Sequence, residues 1–115
     1  MNVASHRRPD PPDLTDALDR LWRQFLPQMF ERVSALEIAA GPLGTGNLTD
    51  AQREEANSAA HKLAGILGSF GLPEGTVLAR EAEAICSTGP AAAPAAATRL
   101  WEITVVLRYL IQNRK

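Results

Sequence analysis

One histidine lies in the most reactive stretch of the sequence, AAHKLAGILGSFG at residues 59–71. A neutral imidazole is a good nucleophile near pH 7 and can carry a phosphoryl group on a ring nitrogen. Most of the stretch is typical of an apolar helix, yet Gly65 and Gly68 each cost a helix interior about 0.5–1 kcal/mol relative to alanine. The same helix therefore carries a nucleophile, His61, and two glycines that lower its stability.

Helical phase places this histidine away from the core. At about 100° per residue, the apolar residues gather opposite His61: Ala56, Ala60, Leu63, Leu67 and Phe70. The residues on the histidine side are polar or very small: Glu54, Asn57, Ser58, Gly65 and Gly68. We expect His61 to be exposed, because its helix already has a complete apolar face elsewhere.

The two glycines have two interpretations at this point. In the first, Gly65 and Gly68 remove side chains that would block a second macromolecule from reaching the imidazole. In the second, they let another helix of the same chain pack closely, with His61 at the rim of the contact. Small residues on a helix are more often a packing feature than part of a site, so geometry alone leaves both interpretations open.

Composition excludes several classes of function. Of the 115 residues, 45% are hydrophobic and 22% charged, which fits one domain with a real core. A net charge of −1 gives no positive field for nucleic acid or an anionic membrane. No apolar run approaches the roughly 20 residues of a membrane span, and residues 1–12 lack a signal-peptide segment. We therefore expect a cytoplasmic protein without nucleic-acid or membrane partners.

Metal and hydrolytic chemistry have little support. Cys86 is the only cysteine and is expected to be a small buried residue. No histidine and carboxylate cluster has metal-ligand spacing, and no Ser-His-Asp order can be read around His61. We therefore expect neither a metal nor a cofactor on this chain. Lys62, about 100° around the helix from His61, can bring positive charge to a group on the ring, although a lone lysine is usually only solvated.

The elements that must position His61 are four amphipathic helices. Residues 1–12 should form a flexible tail, and residues 13–115 the domain. The first helix is capped by Asp13, continues across Pro27 with a kink, and ends near Gly41-Pro42. Its apolar stripe comprises Leu18, Leu21, Trp22, Phe25, Met29, Val33, Leu36 and Ala40.

Local signals also delimit the other three helices. Thr49 and Gln52 form a capping-box pattern before the helix of His61, and Gly71 is placed to end it as a left-handed cap. Pro73 suits the first turn of a third helix that runs to about residue 87. The alanine-rich segment, residues 91–97, is expected to start a fourth helix, with its beginning delayed by Pro94.

The predicted fold is all-α, an antiparallel four-helix bundle with the histidine exposed on the second helix. The core should contain Trp22, Leu63, Leu67 and Leu107. No segment of the sequence is typical of a strand.

The run from His61 to Gly65, followed by Gly68 and Gly71, resembles the signature of histidine-containing phosphotransfer (HPt) domains. The resemblance extends to the order of four helices. It implies that His61 is the phosphoacceptor, Gly65 the residue that gives clearance to a partner, and Lys62 a charge partner for the phosphoryl group. The implied docking residues are Ser58, Gly65, Gly68 and Ser69.

The resemblance also implies a role and partners. Domains of this kind relay phosphoryl groups to or from receiver-domain aspartates of response regulators, and they do not bind ATP. We therefore expect a monomeric phosphoryl carrier without kinase activity, with a receiver domain and a hybrid histidine kinase as partners and Mg²⁺ on the receiver. The alternative is a bundle that only docks a receiver or kinase, although docking alone needs no nucleophile such as His61.

Three positions depart from the family pattern. Many members have a lysine three positions after the histidine, where this chain has Ala64, and a small or hydroxyl residue five positions after it, where this chain has Ile66. Lys62 would then be the main cation for the phosphoryl group. A gap-free count places Glu83 where many members have a glutamine, and a carboxylate there is expected to repel a phosphate.

Overall fold

Four α-helices make up the fold in the computed structural model, which describes residues 11–87 and 91–114. The helices are α1 (Pro11–Thr45), α2 (Asp50–Ser69), α3 (Pro73–Cys86) and α4 (Pro94–Gln112). No strand occurs within the described ranges, so the expected all-helical domain of four helices is confirmed. The antiparallel order of the helices stays a prediction.

The first helix begins earlier than the sequence indicated. Its first residue is Pro11, so Asp13 lies inside the helix instead of capping it. Proline is tolerated in the first turn because the N–H that it lacks has no intrahelical partner there. Residues 1–10, most of the predicted tail, lie outside the described residues. The helix is continuous across Pro27, as expected, whereas the kink at that residue stays a prediction.

The end of α1 also differs from the expectation. The helix continues through Gly41-Pro42 to Thr45. Leu43 extends the apolar stripe into the core with only 1% of its surface exposed, and its carbonyl accepts a hydrogen bond of 3.1 Å from the backbone N–H of Ala93. The left-handed turn follows at Gly46, whose φ is +78°. Burial of Leu43 thus outweighs the local helix-breaking pair.

Both ends of α2 follow from local sequence. The Thr49 hydroxyl accepts a hydrogen bond of 3.1 Å from the Gln52 backbone N–H, and the Gln52 side chain accepts one of 3.0 Å from the Thr49 N–H. This is the predicted capping box. Gly71 has a φ of +79°, and the N–H of Leu72 donates to the Leu67 carbonyl at 2.9 Å. The predicted left-handed cap is therefore confirmed.

The core is formed by the apolar faces of all four helices. It contains the predicted residues Trp22, Leu63, Leu67 and Leu107. Helix α2 packs most extensively against α3, and α1 against α4. Cys86 is buried in the same core, and this burial raises the pKa of its thiol to about 11. The expectation of an ordinary buried cysteine is confirmed.

Arg114 joins the end of α4 to two other helices. Its Nε donates a hydrogen bond of 3.1 Å to the carbonyl of Phe70, and its Nη1 lies 3.2 Å from Oδ1 of Asp19. Its guanidinium carbon lies 4.9 Å from the centre of the Trp22 ring. Because Phe70 directly follows α2, these contacts fix the C-terminal end of the helix that carries His61.

Candidate functional site

The candidate site lies midway along α2, where the side chain of His61 is 74% exposed. Its Nδ1 lies 3.0 Å from Oε2 of Glu83 on α3. A carboxylate can only accept a hydrogen bond, so Nδ1 carries the ring proton and donates it. When the ring is neutral, Nε2 then has the lone pair and is the nitrogen available as a nucleophile.

Glu83 lies beside the histidine, where the sequence count placed it, but its contact is with the ring. When Nε2 of His61 acts as a nucleophile, positive charge develops on the imidazole. The carboxylate of Glu83, which is 30% exposed, then faces this charge through the Nδ1 proton. Through this hydrogen bond Glu83 holds the tautomer that has the proton on Nδ1.

Two hydrogen bonds between α2 and α3 flank this pair. Nδ2 of Asn57 donates to the backbone carbonyl of Glu83 at 3.1 Å. Oγ1 of Thr76 donates to the backbone carbonyl of Ala64 at 2.8 Å. Asn57 lies one helical turn before His61, and Ala64 lies almost one turn after it. The register of the two helices is therefore fixed on both sides of the histidine and carboxylate pair.

The two glycines have different surroundings. A Cβ placed on Gly65 meets no atom within 4 Å, whereas a Cβ on Gly68 would lie 3.1 Å from Oγ1 of Thr76. Packing thus accounts for Gly68, which lets the Thr76 hydroxyl approach α2 and reach the Ala64 carbonyl. Packing does not account for Gly65. The space beside Gly65 is open, and its use as clearance for a partner stays a prediction.

A groove of about 410 Å³ adjoins the histidine. It brings together the predicted site residues His61, Lys62, Gly65 and Ser69, with Phe25 and Arg32 from α1. Both Lys62 and Ser69 are exposed, and Oγ of Ser69 donates to the Gly65 carbonyl at 3.1 Å.

Two predicted docking residues lie outside the lining of this groove. Ser58 is exposed and lines a neighbouring groove of about 400 Å³, which Lys62 and Arg32 also line. Gly68 is exposed beside Thr76. A role of either residue in docking stays a prediction.

Arg32 lines the groove of His61 from the α1 side, and the sequence pattern did not single it out as a candidate. Its Nη1 is buried and has no hydrogen-bond partner among the residues that the structure describes. Its helical phase is a usable signal, because it lies three positions after Met29 and four before Leu36, both core residues. An arginine at such a flank position can lay its aliphatic stem along the core edge, and Arg32 is half-buried.

Neither a metal site nor a membrane-spanning helix is found in the part of the chain that the structure describes. Within residues 11–87 and 91–114, no group of three or more histidine, cysteine, aspartate and glutamate side chains could hold a metal ion. No helix in those ranges combines the length and the apolar character needed to cross a membrane.

Comparison with known proteins adds an independent line of evidence. A family model described as "Hpt domain" matches residues 20–113. Protein RcaC of Microchaete diplosiphon is 38% identical over 66 residues, which are 57% of this chain and 10% of that protein. The chain thus spans only a small part of the length of this curated relative. No solved structure gives a significant match.

Proposed function

Because the chain belongs to the Hpt domain family of two-component phosphorelays, we propose that it carries a phosphoryl group on His61. Members of this family are phosphotransfer carriers rather than kinases. The observation that carries the proposal is the exposed imidazole, whose Nδ1 is hydrogen-bonded to Glu83 while Nε2 is left as the nucleophile. Docking alone would need neither the nucleophile nor its carboxylate partner.

The proposed reaction begins with a phosphorylated receiver aspartate. Nε2 of His61 attacks the phosphorus atom, and an N–P bond forms as the bond from phosphorus to the aspartate oxygen breaks. The aspartate leaves as a carboxylate with the electron pair. The Nδ1 proton remains on the ring, which becomes a phosphorylated imidazolium opposite the Glu83 carboxylate. Transfer from the histidine to a receiver follows the same steps in reverse.

Clearance at Gly65 serves this reaction because attacking nitrogen, phosphorus and leaving oxygen must lie roughly in line. Two folded surfaces must then approach almost to contact at His61. Gly65 lies one turn further along α2, about 6 Å along the helix axis, and its open side leaves room for the partner. Lys62 contributes positive charge from an exposed position, where screening by water keeps its effect modest.

The proposed partners are a response-regulator receiver domain and, upstream, a hybrid histidine kinase. The receiver would bring Mg²⁺, which supplies most of the charge stabilisation at phosphorus. Around His61 the receiver would contact the four docking residues Ser58, Gly65, Gly68 and Ser69. We keep the monomeric state, the cytoplasmic location and the antiparallel bundle as parts of this proposal.

A phosphotransfer assay on variants of the two histidines of the chain tests the proposal. Wild type, His61→Gln and the matched control His6→Gln are incubated with a panel of ³²P-labelled receiver domains. Wild type and His6→Gln should take up label, whereas His61→Gln should take up none and still bind the receiver. Label on His61→Gln, or no label on wild type from any receiver, would contradict the proposal. Receiver binding without labelling of wild type would favour the docking-only module.

A further inference from the structure

We propose that Arg32 of α1 is a second cation for the phosphoryl group on His61, an inference that rests on the proposed function. The groove beside the histidine is lined by α2 and α1. Lys62 provides a cation from α2, next to His61 in sequence. Arg32 provides one from α1 and is a lining residue of the same groove.

The unpaired state of Arg32 is the first argument. A buried N–H group normally has a hydrogen-bond partner, and leaving one without a partner costs free energy. Nη1 of Arg32 has no partner within the described part of the chain. Ion pairs with carboxylates hold several other arginines, for example Arg99, Arg108 and Arg114. Arg32 thus retains donors that an anionic group could use.

The charges around Arg32 are the second argument. Glu31 and Glu55 share the neighbouring groove with Arg32, yet neither carboxylate accepts a hydrogen bond from Nη1 of Arg32. A phosphoryl group on His61 would place oxygen acceptors in the groove that Arg32 lines. The planar guanidinium can bind two phosphate oxygens at once, which the ammonium of Lys62 cannot match in geometry.

The flexibility of arginine makes the contact possible. Nη1 is buried in the structure, so the side chain must rotate for this nitrogen to reach the groove. That rotation breaks no hydrogen bond of Nη1, because it makes none. Arg32 can therefore turn towards a phosphoryl group without losing a hydrogen bond of Nη1, and it gains charge-assisted hydrogen bonds there.

Two phosphoryl donors of different size test the contact. Phosphoramidate is a small donor without a protein surface, and a phosphorylated receiver is a large one. Phosphorylation rates of wild type, Arg32→Gln, Arg32→Lys and Arg32→Met are measured with both donors, and ³¹P NMR records the phosphohistidine signal. The matched control is Arg20→Gln, an exposed arginine of the same helix more than three turns earlier.

We expect Arg32→Gln to be phosphorylated about five- to tenfold more slowly by both donors, with a shifted ³¹P signal. Arg32→Lys should recover part of the rate, and Arg20→Gln should equal wild type. Arg32→Met keeps the aliphatic stem and should show the same loss of rate with a wild-type melting temperature, which separates lost charge from lost packing.

Three results would overturn the inference. Wild-type rates in Arg32→Gln would show that the guanidinium does not contact the phosphoryl group. A loss of rate with the receiver alone would assign Arg32 to the protein surface of the partner. Absence of phosphorylation of wild type by either donor would refute the proposed function itself and, with it, this role of Arg32.

Discussion

Replacement of Gly65 separates the stability of α2 from access to His61. In Gly65→Ala the new Cβ enters a space with no atom within 4 Å, so it creates no clash. Removing a glycine from a helix interior stabilises it by about 0.5–1 kcal/mol. At about 4–8 °C per kcal/mol for a domain near 100 residues, the melting temperature should rise by about 2–8 °C. The variant therefore becomes more stable because no packing contact is lost.

The effect on phosphotransfer should depend on the size of the donor. Gly65→Gln places a long side chain one turn from His61, on the side where the receiver must approach. A displacement of about 1 Å in such a reaction can cost a factor of roughly 10². We expect at least this loss in transfer from a phosphorylated receiver. Phosphorylation by phosphoramidate should stay near wild type, since the small donor needs no protein clearance.

The assay compares both donors on Gly65→Ala, Gly65→Gln and Ala51→Gln by quenched-flow labelling, with thermal unfolding followed by circular dichroism. Ala51 is exposed in the first turn of the same helix, about 15 Å from His61 along its axis, so it controls for added bulk. A lower melting temperature of Gly65→Ala, or a wild-type rate of transfer from a receiver to Gly65→Gln, would contradict the role proposed for Gly65.

Three other substitutions give separate tests. Glu83→Ala should slow phosphorylation of His61 about two- to fivefold, because a 3.0 Å hydrogen bond between two partly exposed groups contributes about 0.5–1 kcal/mol. An unchanged rate in quenched-flow labelling would contradict the role assigned to Glu83. Gly75→Ala should lower the free energy of unfolding by about 1–3 kcal/mol, because the added Cβ would lie 2.8 Å from Cδ1 of buried Leu67; urea unfolding with an unshifted midpoint would be the contrary result. The buried Cys86 thiol should resist thiol reagents until the protein unfolds. The free energy of unfolding should fall between pH 9.0 and about 11, because burial raises the thiol pKa and the folded state keeps the proton that the unfolded chain releases. Cys86→Ala should lack this decrease with pH, and an equal decrease in that variant would disprove the cause.

Helix ends were predictable where the signal is local and less so where tertiary packing competes. The capping box at Thr49 and the left-handed cap at Gly71 involve contacts within a few residues, and both occur as predicted. The end of α1 was placed too early because Gly41-Pro42 is a strong local signal. Burial of Leu43 depends on the other helices, which a local pattern does not contain.

In the candidate site, too, local sequence signals predicted some features, whereas others depend on how the helices pack. Helical phase placed His61 on the polar face, and a residue count placed Glu83 near it on the next helix. The different surroundings of Gly65 and Gly68 depend on where Thr76 lies across α3, so sequence alone left both interpretations open. Arg32 lies on α1, far from His61 in sequence, and it lines the groove of His61 only because α1 packs against α2.

The ring nitrogen that bears the phosphoryl group tests the central claim most directly. The protein is labelled with ¹⁵N-histidine and phosphorylated, and long-range ¹H–¹⁵N NMR correlations are recorded for His61 before and after the reaction. The account predicts a phosphoryl group on Nε2 and a proton on Nδ1, the nitrogen that contacts Glu83. A phosphoryl group on Nδ1 or on another residue, or an imidazole that remains unmodified with every donor, would contradict it.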